Sequence, residues 1–245
     1  MSDLQSRGIK FHKSLAEVGD EFPPKTMVLI SARTSDNPGH FEAALDRGAK
    51  CIYLEKPGAP TVKELVRMKH LASSRTVPCQ VYLGYNKNVT RYVRSALAYA
   101  DSVPGSHVEF VHNNAFRPEE LEECFARCAE GMLKNMAIHE LALLVTFFDA
   151  RVDTVFKVKV DPSKTALKKL GPWEDFSNLS FRVTTLKGLS ATVTADRCAG
   201  TVSYANVRDG PDGKVLRAFE CPTKEEAEEV KEKVRGGRGG HGQPC

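Results

Sequence analysis

The stretch Cys51-Ile52-Tyr53-Leu54-Glu55-Lys56-Pro57 decides how the chain is to be read. Four mostly apolar residues bounded by a Lys and a Pro form a short buried strand, too brief for a helix. The strand stops at Glu55-Lys56-Pro57, because Pro cannot donate to a sheet ladder and restricts the residue before it. Lys56 is thereby delivered to the carboxyl end of a strand, where open α/β sheets bind ligands. Taken alone, a Lys-Pro pair is more often a solvated surface loop. The sequence on either side decides between the two.

Before this strand, residues 26–32 read as a second buried strand. A loop rich in turn formers follows, Arg33-Thr34-Ser35-Asp36-Asn37-Pro38-Gly39, then a helix over 40–47 closed by Gly48. Beyond it, a helix is expected over 61–73, with Thr61 as cap and Glu64 completing a capping box. A third strand occupies 79–85. Strand, helix, strand, helix, strand with short links is a doubly wound parallel sheet. Upstream, Ser14 and Glu17 suggest another capping box in an otherwise polar segment.

The second half changes character. Residues 88–101 are helical, 107–112 a strand, 118–129 an acidic helix, and 132–148 one long apolar-faced helix. Strands follow at 154–160, 179–185, 190–195, 201–207 and 215–219. Lys187-Gly188 and Asp212-Gly213 mark hairpins in a meander, and residues 225–234 form a polar closing helix. The expected domains are 1–103, a partial Rossmann-like unit, and 104–235, an α+β unit with an open, largely antiparallel sheet. A disordered tail at 236–245 completes the chain.

Composition sets outer bounds. The 245 residues are 41% hydrophobic and 27% charged, with a net charge of +4. That balance is an ordinary globular protein's and marks no nucleic-acid surface. No apolar run reaches the roughly 18 residues of a membrane span, and no secretory signal opens the sequence. Seven cysteines at irregular spacing suit reduced thiols in a cytosol-like compartment. Cys124 and Cys128, four apart without a nearby His, read as packing rather than zinc ligands.

Several runs together resemble the Gfo/Idh/MocA oxidoreductases: Ser35-Asp36-Asn37-Pro38-Gly39-His40, then Ala43-Ala44-Leu45 with Gly48, then Glu55-Lys56-Pro57. Gly84-Tyr85-Asn86 through Arg91 resembles the strand and helix that follow. The run from Gly131 through Asn135 to His139 resembles the Gly-x-x-x-Asp-x-x-x-His helix of that family's substrate site. The match covers about residues 8–235.

The resemblance implies a site. Ser35, Asn37, His40, Glu55 and Lys56 would bind NAD or NADP. Asn86, Asn135 and His139 would bind a small sugar-like or cyclic substrate. Lys56 would polarise a hydroxyl and His139 would take its proton. Independently, a spacing of four puts Asn135 and His139 on one face of a continuous helix. A His on an apolar helix is equally a satisfied core residue.

Two departures stand beside the matches. Asn135 replaces the family's acid. Apart from the glycine cluster of the terminal tail, which precedes no helix, the sequence holds no Gly-x-Gly-x-x-Gly, as if the strand, glycine turn and helix that hold a pyrophosphate were absent. Each lost charge-assisted bond is worth roughly 1.5–3 kcal/mol, so weak or undetectable NAD(P) binding is expected. The alternative is a non-redox relative that binds a metabolite or partner, or does acid/base chemistry without nicotinamide. An open edge at 28–32 and an apolar sheet face predict a homodimer or larger assembly, with the face the better candidate.

Overall fold

The computed structural model of the chain describes residues 8–23, 25–128 and 130–236. The expected tail, past Gly236, lies outside the described residues, as do residues 1–7. The chain divides after Gly84 into two compact units.

The first unit alternates β1 (Met27–Ile30), α1 (Asn37–Asp46), β2 (Cys51–Leu54), α2 (Val62–Ser73) and β3 (Gln80–Leu83). The three strands are parallel in the order β1-β2-β3, with Val28 opposite Ile52 and Ile52 opposite Val81. The three neighbouring parallel strands expected from the Cys51 stretch are therefore the ones found. Helix α1 starts three residues earlier than expected, because Pro38 sits in its first turn, where a missing N–H leaves no bond unmade. Helix α2 has the expected capping box: Thr61 Oγ1 accepts the Glu64 N–H at 3.2 Å, and Glu64 Oε2 accepts the Thr61 N–H at 3.0 Å. The second box does not form. Residues Leu15–Val18 make one 3-10 turn, Ser14 does not cap it, and Glu17 accepts the Lys13 N–H instead.

The core of this unit joins Ile30, Ile52 and Leu54 to Phe41, Ala44 and Leu45 of α1 and Met68 and Ala72 of α2. Both helices thus cover the same side of the sheet. On the other side Met27, Leu29 and Tyr82 are exposed, so the doubly wound arrangement is not present among the described residues.

The second unit opens with a 3-10 turn, Asn86–Val89, and continues through α3 (Arg91–Asp101), β4 (His107–Asn113), α4 (Leu121–Arg127), α5 (Met132–Asn135) and α6 (Ile138–Phe148). Then come β5 (Val155–Val160), β6 (Ala166–Leu170), β7 (Trp173–Thr185), β8 (Ser190–Asp196), β9 (Ser203–Arg208), β10 (Val215–Cys221) and α7 (Lys224–Gly236). Helix α3 packs on β4, β9 and β10, which places the division at residue 84 rather than 103.

The sheet runs β10-β9-β4-β8-β7-β5, with β6 paired to β7. Both expected hairpins form, β7 with β8 and β9 with β10. It is not a simple meander, because β4 inserts between β8 and β9, parallel to the first and antiparallel to the second. One face is closed by α3 and α6, through Val93, Ala96, Leu143 and Leu144 against Val108, Phe110, Val193 and Ala195.

The open face is polar, not apolar as expected. Glu109 accepts from Arg208 at 2.6 Å, Arg182 pairs with Asp212, and Thr192 and Thr194 lie between them. A cavity of about 350 Å³ lies among these side chains. Alternation in a sheet marks which residues share a face, not which face is wet.

The long helix expected over 132–148 is two helices. The Asp175 carboxylate accepts the Met132 N–H at 3.0 Å and so starts α5. The Ala137 N–H then reaches back five residues to Met132 O, a widened turn, before α6 begins. The i, i+4 argument linking Asn135 to His139 does not carry across that break. Cys124 is buried and its sulfur accepts Arg197 Nη1 at 2.8 Å.

Candidate active site

In the first unit the expected site residues lie at the carboxyl edge of the parallel sheet. Helix α1 begins from the end of β1, so its first turn shares that edge with the end of β2. Asn37 is 1% exposed, and its Oδ1 has no hydrogen-bond partner among the described residues. Ser35 and His40 are exposed beside it, with Ser35 Oγ donating to Asp36 Oδ1 at 3.0 Å.

Glu55 and Lys56 extend the central strand, and both are half-buried. The Glu55 carboxylate accepts the Lys56 N–H at 3.2 Å and the Tyr53 hydroxyl at 3.4 Å. Burial, then the Glu55 charge, pushes the Tyr53 phenol up. Gly84 closes this corner: a Cβ there would meet Tyr53 Oη at 2.9 Å and Glu55 Oε1 at 3.0 Å. The result is a fixed carboxylate with a lysine at its side, at the end of the middle strand.

In the second unit Asn86 is exposed in the first 3-10 turn, and Asn135 and His139 are half-buried on either side of the helix break. The strongest polar arrangement is one that sequence reasoning missed. Glu140, 1% exposed in the first turn of α6, accepts Lys87 Nζ at 2.5 Å through Oε1. Its Oε2 lies 3.0 Å from His112 Nδ1. Lys87 Nζ also donates to Ser203 Oγ at 3.2 Å. The His112 and His139 rings lie side by side, centroids 6.1 Å apart.

Burial alone would raise the Glu140 carboxyl. The His112 hydrogen bond and the Lys87 charge outweigh it and hold the group down to about 2. Glu140 is therefore ionised at neutral pH and can only accept, so Nδ1 of His112 carries the hydrogen. The same charge, added to burial, pushes the Tyr92 phenol up.

Two signals in the sequence pointed here. Glu140 is the lone acid in the apolar run Ile138–Phe148, and a buried charge requires a partner. His112 continues the period of two set by the buried Val108 and Phe110.

Neither a family profile nor any curated protein matches the sequence. Solved structures do. A probable dehydrogenase from Thermotoga maritima matches with a TM-score of 0.64 at 16% identity, over 89% of this chain and 64% of its own. An NAD-binding protein from Listeria innocua matches with a TM-score of 0.59 at 16% identity, over 87% and 62% respectively. Myo-inositol dehydrogenase from Lactobacillus casei, in complex with NAD(H) and myo-inositol, matches with a TM-score of 0.54 at 17% identity, over 80% and 55%.

This chain spans less than two thirds of the length of each of these three proteins. At such identities the likeness is one of fold. The chain has the two-part fold of the Gfo/Idh/MocA dehydrogenases, the fold its sequence resemblance implied.

Proposed function

We propose that the chain is a nicotinamide-dependent oxidoreductase of the Gfo/Idh/MocA type, transferring hydride between NAD or NADP and a hydroxyl-bearing carbon of a sugar-like or cyclic polyol. The observation that carries this reading is Lys56 at the carboxyl end of the central parallel strand, beside a carboxylate fixed by Tyr53 and its own backbone. The similar structure crystallised with NAD(H) and myo-inositol supports the choice of chemistry.

The residues present fit one part of a nicotinamide cofactor. Among the described residues the buried Asn37 Oδ1 has no donor, which a carboxamide or ribose hydroxyl would supply. Ser35 and His40 flank that position. No glycine-rich turn opens a helix among the described residues, so the pyrophosphate is the less well served end. When bound, the cofactor supplies the hydride acceptor. Lys56 orients and polarises the substrate hydroxyl, His139 handles its proton, and Asn86 and Asn135 bind the remaining hydroxyls.

The same reading includes a small-molecule substrate, a cytoplasmic location and a homodimer formed through the open sheet face. Because that face is polar, pairing there would rest on complementary charge and hydrogen bonds around Glu109, Arg182 and Arg208. No helix of the described residues is long and apolar enough to cross a membrane.

The test is calorimetric titration with NAD and NADP, followed by the rise of reduced nicotinamide on adding polyols. Turnover that falls by about 10²–10⁴ in Lys56→Met, with cofactor affinity little changed, is the expected result. No cofactor heat and no turnover with any polyol would end this reading.

A further inference from the structure

We propose that the cavity on the open face of the seven-stranded sheet binds a small phosphorylated metabolite, its phosphate held by Lys159, Lys164 and Arg182 and taking the place of the Asp212 carboxylate. All four residues belong to the second unit, and the assignment stands apart from the oxidoreductase reading.

Lys159 of β5 lies directly opposite Arg182 of β7, and Arg182 lies opposite Thr192 of β8. Two cations facing each other across a ladder weaken it. Strand β5 is the edge of the sheet, and edge strands carry lysines that discourage pairing with other chains. That accounts for Lys159 but not for Arg182, which lies on an inner strand. The 3-10 turn Pro162–Lys164 brings a third cation to the same cavity.

Two of the carboxylates nearby are already engaged. Glu109 accepts Arg208 Nε at 2.7 Å and Asn206 Nδ2 at 3.2 Å. Asp161 accepts the Ser163 N–H at 3.0 Å and its hydroxyl at 2.6 Å, closing its own turn. Among the described residues neither Lys159 nor Lys164 makes a hydrogen bond or ion pair.

The Arg182 guanidinium is only partly satisfied. Its Nη2 donates to Asp212 Oδ1 at 2.6 Å, while its buried Nε has no partner among the described residues. A buried donor without an acceptor is costly, and an anion in the cavity supplies one. The Asp212 side chain is 82% exposed in the β9–β10 hairpin, so its hold on Arg182 is weak and an incoming anion displaces it at little cost.

Size and charge narrow the ligand. The cavity, about 350 Å³, lies at the low end of the roughly 300–1,000 Å³ of small-molecule sites. One guanidinium fork satisfies a planar carboxylate. Three cations from an edge strand, an inner strand and a turn instead match a phosphate monoester, with a charge of about −2 and three acceptor oxygens. Pro162 and Pro211 give the organic part an apolar wall.

The experiment follows the arginine Nε–H signals of the ¹⁵N-labelled full chain at neutral pH and constant ionic strength. Inorganic phosphate and glycerol 3-phosphate are each expected to shift the Arg182 signal to saturation, and glycerol to leave it unmoved. Arg182→Gln and Lys164→Gln should weaken binding, followed by calorimetry, about tenfold or more. Asp212→Asn should tighten it, because the competing carboxylate is gone. Lys63→Gln, an equal charge change at an exposed position of α2, should leave it as it was.

An Arg182 signal indifferent to both phosphates overturns the proposal. So does binding that Lys63→Gln weakens as much as Lys164→Gln, which marks general charge attraction. An Asp212→Asn protein that binds no tighter overturns it too, and this exposed change reads out even where Arg182→Gln fails to fold. A stable homodimer by sedimentation in which Arg182 ignores phosphate assigns these cations to the subunit interface instead.

Discussion

In the three-stranded sheet, the candidate site residues sit within ten positions of a strand end: Glu55 and Lys56 follow β2, and Ser35, Asn37 and His40 follow β1. In the seven-stranded sheet, Lys87, His112, Glu140 and Ser203 come from a turn, a strand, a helix and another strand, with 116 positions between Lys87 and Ser203. The first kind of site is written in consecutive letters. The second exists only once the chain has folded. The energies differ as well: the first unit fixes Glu55 with partly buried hydrogen bonds, whereas the second buries a full charge and must keep it paired.

The largest expected effect breaks the second arrangement. Glu140→Gln leaves Lys87 charged and largely buried without its partner, so stability should fall by about 3–5 kcal/mol. Chemical denaturation followed by hydrogen exchange in each unit would show the loss confined to the second. The double change Lys87→Met with Glu140→Leu should recover much of it, since a packed apolar pair replaces the ions. A Glu140→Gln protein as stable as the wild type would make the two sheets energetically alike after all.

Acid tests the same contrast without mutation. The folded Glu140 carboxyl titrates at about 2, below its ordinary 4.5. Its contribution is therefore fully present above about 4.5 and disappears as pH falls toward 2, by about 3 kcal/mol.

His107 acts earlier. Burial, then the Arg182 charge, lowers its imidazole from 6.5 to about 4, while its Nε2 lies 2.8 Å from Thr192 Oγ1. The unfolded chain takes up that proton first, so stability declines as pH drops from 6.5 to 4. Unfolding midpoints at pH 7, 5 and 3 should step down twice. A flat profile would contradict both assignments.

Smaller effects probe the first unit. Thr61→Ala removes the cap of α2 and should cost about 1 kcal/mol, read as exchange of the α2 amides. Gly84→Ala should cost less, about 0.5–1 kcal/mol, because its Cβ meets only the movable ends of Tyr53 and Glu55. Its signature is a turned Glu55 carboxylate, visible as changed Tyr53 and Lys56 signals.

The same contrast explains what the sequence disclosed. Residues 51–54 were legible as β2 because Pro57 and the charges around it leave no other element of that length. Thr61 and Glu64 were legible because a capping box is local. The strand β6 and the first half of β7 were not. Trp173 through Asn178 carries Glu174, Asp175, Ser177 and Asn178, which read as a polar loop.

In the folded chain Asp175 and Ser177 face inward. Asp175 receives Arg197 Nη2 at 2.6 Å, and Arg197, 1% exposed, also donates to Phe176 O. Buried polar pairs between distant residues give no periodic signal. Of the candidate site, Lys56 and His139 were visible through motif spacing, while the Glu140–His112 pair beside His139 depended on contacts between segments far apart in sequence.

The widened turn at Met136 and Ala137 has a further consequence, one of phase. A turn that takes an additional residue sets everything after it about 100° out of step with an unbroken α-helix. That offset determines that Glu140, rather than a neighbour, points at Lys87 and His112 from the first turn of α6. Deleting one residue at 136–137 would straighten the turn and leave the faces of α6 in place, whereas inserting one would turn α6 by about another 100° and take the Glu140 carboxylate off Lys87 and His112. An irregularity of one residue thus serves as the index mark that aligns the helix with the site.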